Sequence, residues 1–330
     1  MTMRIKRLHH IIVFKILFIL SLIFTEGGNL RAQQEGNSTL FMYNPLAVNP
    51  GAAGIQENTR YLLSHRSQWI GFKGAPMMQT LSVSTPAFSD RLGFGASLYN
   101  RRIGIIESQT VTMAWAYSVI KTAKFNCRAG LQGVVKRTAL RFNDLEEAAQ
   151  FASDRSVNVS LASKLVSNFG LGVYMTYKDA FLGFSIPSYL PNVLGVNPFT
   201  ETTAAESAHY YGQGGFRFKF TEGIKLQPSV MLKWVKGVPW SLDANMSMIV
   251  KDKIQLGISY RTGKTTLSTL GESADLTFSL QVNDKLNIGL AYDWLLAPVS
   301  KYSIGSAEAL IKYDIVKKKE VVFSNPRAFF

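Results

Sequence analysis

From Val111 to Val119 the chain alternates without a break: Val111, Met113, Trp115, Tyr117 and Val119 are large and apolar, and Thr112, Ala114, Ala116 and Ser118 are small or polar. A side-chain period of two marks a β-strand with unlike faces. The alternation returns over residues 125–136, 275–283, 286–294 and 306–315. Each run is roughly nine to eleven residues long, enough for a tilted strand to cross a bilayer. About fourteen strands are predicted, near residues 59–66, 76–86, 91–102, 107–120, 124–138, 168–177, 179–187, 207–220, 223–236, 238–250, 252–263, 272–282, 284–294 and 304–316.

The connections sort by parity. Long ones, at 139–167, 188–206, 264–271 and 295–303, all follow odd-numbered strands. Even-to-odd connections such as Ser89-Asp90, Lys178, Lys251 and Asn283 are short. An even strand number with long loops at one end and short turns at the other is the pattern of an outer-membrane barrel. A soluble β-sandwich has no reason to sort its loops in this way. In hydrocarbon an open sheet edge leaves backbone groups unpaired, at several kcal/mol each, so the sheet must close. The fold expected is therefore all-β, a transmembrane antiparallel barrel of about fourteen strands.

The first residues set the compartment. Arg4, Lys6, Arg7 and Lys15 precede the apolar run Ile16 to Phe24, and Leu30-Arg31-Ala32 follows. That order describes a secretory signal peptide over residues 1–32, and its core is too short for a confident spanning helix. The organisation expected is signal peptide 1–32, a periplasmic or plug segment 33–58, barrel 59–316 and a periplasmic tail 317–330.

Composition changes this picture little. Charged residues are 18% and aromatics 12%, low charge and rich in rings, as a half-apolar barrel requires. The formal charge of +14 would suggest nucleic acid in a cytosolic protein. Export argues against that partner. Removing residues 1–32 takes five basic residues and one acidic one and leaves +10. The single cysteine, Cys127, excludes an intramolecular disulfide and a cysteine metal cluster.

Trp115, Trp234, Trp240 and Trp294 fall near strand ends or on lipid-facing positions, as an interfacial belt requires. The inward set is Arg128, Lys136, Lys225, Lys233, Asp243, Arg261, Asp275, Asp293, Glu308, Lys312 and Asp314. Opposite charges on neighbouring strands are expected to pair inside the lumen. Lys317-Lys318-Lys319 reads as a solvated exit from the last strand.

Catalytic constellations are hard to build. His65 and His209 are the histidines after the leader, in different predicted strands, and neither GxSxG nor HExxH occurs. Ser64-His65 with a distant carboxylate would be a weak triad. Gly263-Lys264-Thr265 resembles the end of a phosphate-binding loop, but position 258 is Ile where glycine is required. No cofactor or metal site is expected, and the chain reads as a non-enzyme.

The densest signal lies between Asn44 and Pro76, which holds two Asn-Pro pairs, four glycines and Gln68-Trp69. The segments Asn44-Pro45, Asn49-Pro50-Gly51, Gly54, Arg66, Gln68-Trp69 and Gly74-Ala75-Pro76 resemble the PorP/SprF-like outer-membrane proteins of the Bacteroidota type IX secretion system. The resemblance runs on through Leu92-Gly93-Phe94-Gly95, Asn168-Phe169-Gly170, Gly183 to Pro187, Ile258 to Arg261, Ala291-Tyr292-Asp293 and the tail Asn325-Pro326-Arg327-Ala328-Phe329. It departs where NPGAAG replaces the usual NPAYAG, where Ala307 replaces a His between Ser306 and Glu308, and where Ala328 replaces an aromatic.

Membership would imply a barrel that serves surface display or gliding. The partners implied are a secreted adhesin or its C-terminal domain, a PorK/PorN-like periplasmic ring or an OmpA-like peptidoglycan-binding lipoprotein, and outer-membrane lipid. The partner-binding residues carried over are Asn49, Pro50, Arg66, Gln68, Trp69, Pro76, Pro326 and Arg327. Proline presets φ and glycine permits sharp turns, so the motif can hold one irregular shape. Arg66 and Trp69 are residue types favoured at binding hot spots. Internal packing against the barrel wall is the competing role for both. The rival function is a transport barrel for a small or apolar solute with the N-terminal segment as its hatch.

Overall fold

The computed structural model describes residues 38–87, 91–140, 163–196, 203–236, 238–262 and 271–315. The signal peptide, Gly263-Lys264-Thr265, Lys317 to Lys319, and the tail with Pro326 and Arg327 lie outside the described residues. Among the described residues no helix is long and apolar enough to cross a membrane.

Strands dominate. They are β1 Thr59–Ser67, β2 Met77–Pro86, β3 Leu92–Ile103, β4 Ile106–Lys121, β5 Phe125–Leu140, β6 Ser163–Tyr177, β7 Ala180–Ile186, β8 Asn192–Val196 and β9 Thr203–Glu206. Then follow β10 His209–Phe216, β11 Phe218–Thr221, β12 Ile224–Val235, β13 Val238–Val250, β14 Ile254–Arg261, β15 Ser273–Gln281, β16 Leu286–Leu295 and β17 Ser306–Ile315. Neighbours pair antiparallel from β7 back to β1, across to β17 and down to β12. The β10 strand pairs with both β7 and β12 and closes the ring. With β10 and β11 as two parts of one wall strand, the barrel has fourteen strands. The β8–β9 hairpin stands apart in the connection between β7 and β10.

The wall is inside-out relative to a soluble protein. On β4, Val111, Met113, Trp115, Tyr117 and Val119 are exposed, while Thr112, Ala114, Ala116 and Ser118 are buried. The exposed set meets lipid, and the small or polar set faces the lumen. Tight hairpins close one end of the barrel. In one, Lys251 and Asp252 have φ of 49° and 54°, the left-handed pair that a two-residue turn needs to match strand twist.

Three stretches differ from the expected strands. The predicted strand 207–220 is divided at Arg217, whose backbone N–H donates to the Asp179 carbonyl, one step beyond the last β10–β7 pair, Phe216 and Ala180. The β6 strand starts at Ser163, not 168, because β5 offers partners as far as Ala139. The stretch 188–206, expected as a loop, contains β8 and β9.

Candidate functional site: the filled lumen and its rim

Of the two places expected for the N-terminal segment, its described part occupies the lumen. Three short 3-10 turns, Phe41–Tyr43, Pro45–Ala47 and Pro50–Ala52, coil the chain down the barrel. Asn44-Pro45 and Asn49-Pro50 start the second and third turns, with Pro at the first helical position, where no N–H is missed. Asn49 also caps its turn, accepting the Gly51 N–H at 2.9 Å.

At the long-loop end the segment meets charge. Thr39 donates from its hydroxyl to Asp293 at 2.9 Å and from its backbone to Glu308 at 2.8 Å. It accepts from Arg66 at 3.0 Å and from Arg261 at 3.3 Å. Arg66 pairs with Asp293 at 2.5 Å and with Glu308 at 3.3 Å. The belt continues through Arg261 to Asp243 at 3.0 Å and from Asp243 to Lys233 at 2.7 Å. These side chains are buried. A buried pair of this kind adds little net stability, but losing one partner leaves an uncompensated charge. The belt thus fixes where the segment sits more than how tightly the barrel holds.

Farther down, apolar contacts take over. Leu40 packs on Leu62, Ala291 and Leu310; Phe41 packs on Tyr211 and Met231; Leu46 and Ala53 pack on Ala114 and Ala116. Full burial of each leucine or phenylalanine contributes about 1.5–3 kcal/mol. Tyr43, half-buried against them, has its phenol pKa pushed up to about 12 by desolvation. Near the short-turn end Arg128 donates to the carbonyls of Gly51 at 3.2 Å and Ala53 at 2.5 Å. Asn49 donates to the Val173 carbonyl at 3.0 Å.

Glycines in the wall make this approach possible. A Cβ at Gly130 would overlap the backbone of Pro50 and Gly51, and one at Gly172 would overlap the Asn49 side chain. Both lie on lumen-facing positions, and a glycine inside a strand often marks the close approach of another backbone. These lumen-facing glycines are the signal in the sequence that could have located the segment.

The carried-over residues therefore separate. Asn49, Pro50 and Arg66 are buried inside the barrel, where they hold the segment; for Arg66 the internal role is the one observed. Gln68 and Trp69 lie in the loop after β1, whose base is closed by the Gln68 N–H on the Pro76 carbonyl at 2.9 Å. Trp69 has a left-handed φ of 50° and donates its N–H to Ser306 at 3.2 Å. Ser64 and His65 point to opposite faces of β1, and His65 is hydrogen-bonded instead to Ser67 at 3.1 Å on the outer face, so Ser64 and His65 do not pair. Among the described residues, no group of three His, Cys, Asp or Glu is placed to hold a metal.

A family described as type IX secretion system membrane protein PorP/SprF matches residues 30–313. The chain belongs to the PorP/SprF family. This PorP/SprF-family barrel is an outer-membrane protein, so its long-loop end is the extracellular side. No curated protein matches the sequence. Among solved structures, its barrel is similar to the CymD monoaromatic hydrocarbon channel, with TM-score 0.50 and 11% identity over 83% of this chain and 92% of that one. A Ralstonia pickettii toluene transporter, TbuX, gives 0.48 and 11% over 84% and 93%. At these identities the first likeness shows the fold alone.

Proposed function

We propose that this PorP/SprF-family barrel is a closed, non-enzymatic platform that anchors or delivers a secreted surface protein, an adhesin held through its C-terminal domain, and links it to periplasmic secretion or gliding components. The observation that carries this reading is the filled lumen beneath an apolar rim. Beside the segment, the space between Tyr43, Leu46, Ile55 and Leu62 is about 40 Å³. At ~10–15 Å³ for each water, that holds a few waters and no organic solute. At the rim, Tyr302 and Ile304 are 70% and 72% exposed. Their loop is stitched to the Gln68-Trp69 loop by Ile70 N–H to Gly305 at 2.8 Å and Ile304 N–H to Ile70 at 3.0 Å. Aromatic and aliphatic side chains exposed together on fixed loops suit protein contact.

The test is capture of partners by the full chain from outer membranes, identified by mass spectrometry, beside deletion of the gene. An exported adhesin in the capture and its loss from the surface are expected. Normal adhesin display with impaired uptake of a small solute would overturn the reading in favour of transport.

A further inference from the structure

A second cavity, of about 720 Å³, lies at the rim and is lined mainly by residues of the wall's outer face and of the loop after β1. Its floor is formed by outward-facing side chains of β16, β17, β1 and β2, including Leu290, Ala309 and Met77. Ala307 and Ala309 are small, so the wall is recessed there between larger neighbours. The loop after β1 bends outward over the recess and places Ile70 and Phe72 against it. That loop is a fixed roof, since Ile70 is hydrogen-bonded on both sides to the Ile304–Gly305 stretch and Gly74 accepts the Gly104 N–H at 2.8 Å.

We infer that this recess binds one acyl chain of an anionic lipid of the outer leaflet. Three observations favour lipid over a peptide. The floor residues belong to the same outward face as the exposed Leu63 and Ile311, so the cavity is continuous with the hydrocarbon-facing band. The size suits an apolar ligand, since such sites run to roughly 300–1,000 Å³. Cations stand at its edge: Arg102 lines the cavity, and Lys73 lies in the chain between the lining residues Phe72 and Gly74. This inference rests on the outer-membrane location and not on adhesin capture.

The full-length protein, extracted in detergent and delipidated, is offered dipalmitoyl phosphatidylglycerol or dipalmitoyl phosphatidylcholine, and bound lipid is counted by native mass spectrometry. Retention on the order of one phosphatidylglycerol per chain is expected. Ala309→Trp, which fills the recess, is expected to abolish it, and Ala129→Trp on the lipid face of β5 to leave it intact. Heat-modifiable gel mobility reports folding, and Ala307→Leu carries the test where Ala309→Trp does not fold. A photo-crosslinking residue at Phe72 is expected to capture lipid in whole membranes. Equal retention of both lipids, retention unaffected by filling the recess, or a protein adduct at Phe72 overturns the inference.

Discussion

Arg66 on the first wall strand and Asp293 on β16 meet at 2.5 Å inside the barrel, with Thr39 of the N-terminal segment hydrogen-bonded to both. Removing the guanidinium leaves Asp293 and Glu308 buried without their main partner. A broken buried pair costs about 3–5 kcal/mol. Arg66→Ala is expected to keep heat-modifiable mobility yet loosen the segment. In a Cys127→Ser background, a cysteine at Ala53 should react slowly with a maleimide and faster once Arg66 is gone; equal rates would mean that the belt does not hold the segment.

Asp275 gives the opposite expectation. It is 3% exposed, neither carboxylate oxygen has a hydrogen-bond partner, and it stands in register with Asp293. Like charges opposite one another on a sheet are destabilising by roughly 0.2–1 kcal/mol. Asp275→Asn is expected to leave the unfolding temperature unchanged or raise it, whereas Asp293→Asn lowers it. A fall of equal size in both would show that Asp275 has a stabilising partner.

Glycine replacement probes the seating of the segment. Gly130→Val should expel Pro50-Gly51 from the wall, while Gly133→Val should be tolerated, because nothing lies within 4 Å of a Cβ there. Single-channel conductance in planar bilayers is the measurement. The wild type and Gly133→Val are expected to pass little current, and Gly130→Val or deletion of residues 38–55 to pass more. A wild-type current matching that of the deletion would show that the segment does not seal the lumen.

Trp69→Ala tests the rim. A hot-spot aromatic is worth roughly 2 kcal/mol or more, about 30-fold in affinity. Partner capture is expected to fall by that order with gel mobility unchanged. Lost mobility with capture retained would reassign Trp69 to assembly.

The Tyr43 phenol provides a pH test. Its folded pKa, raised by burial to about 12, lies above the unfolded value near 10. Its contribution is therefore complete below pH ~10 and is lost as pH rises toward 12. In a 295 nm titration, Tyr43→Phe should remove absorbance that develops near pH 12; removal of a step near 10 would mean that water reaches the phenol.

The strands were legible because a period of two is a local property, and the alternation from Val111 to Val119 needed no tertiary information. The division at Arg217 was not, since its N–H is taken by the Asp179 carbonyl, 38 residues away in sequence. The sequence does not decide between lumen and periplasm for Asn44 to Ala53, because its partners, from Ser82 to Ser185, are scattered along the chain. Arg66 carried two readings for the same reason. An arginine looks alike in sequence whether it faces a partner or a buried carboxylate, and Glu308 and Asp293 are identified as its partners only by the register of β1, β16 and β17.

That register has a further consequence. Arg66 and Glu308 face each other across the β1–β17 pair, where the two ends of the wall meet. The topmost anchor of the segment therefore exists only in a completed ring, and Gln68 and Trp69 follow Arg66 by two and three residues in the chain. A half-assembled barrel has neither the anchor nor the stitched rim, so the rim proposed to bind a partner itself serves as a certificate of assembly.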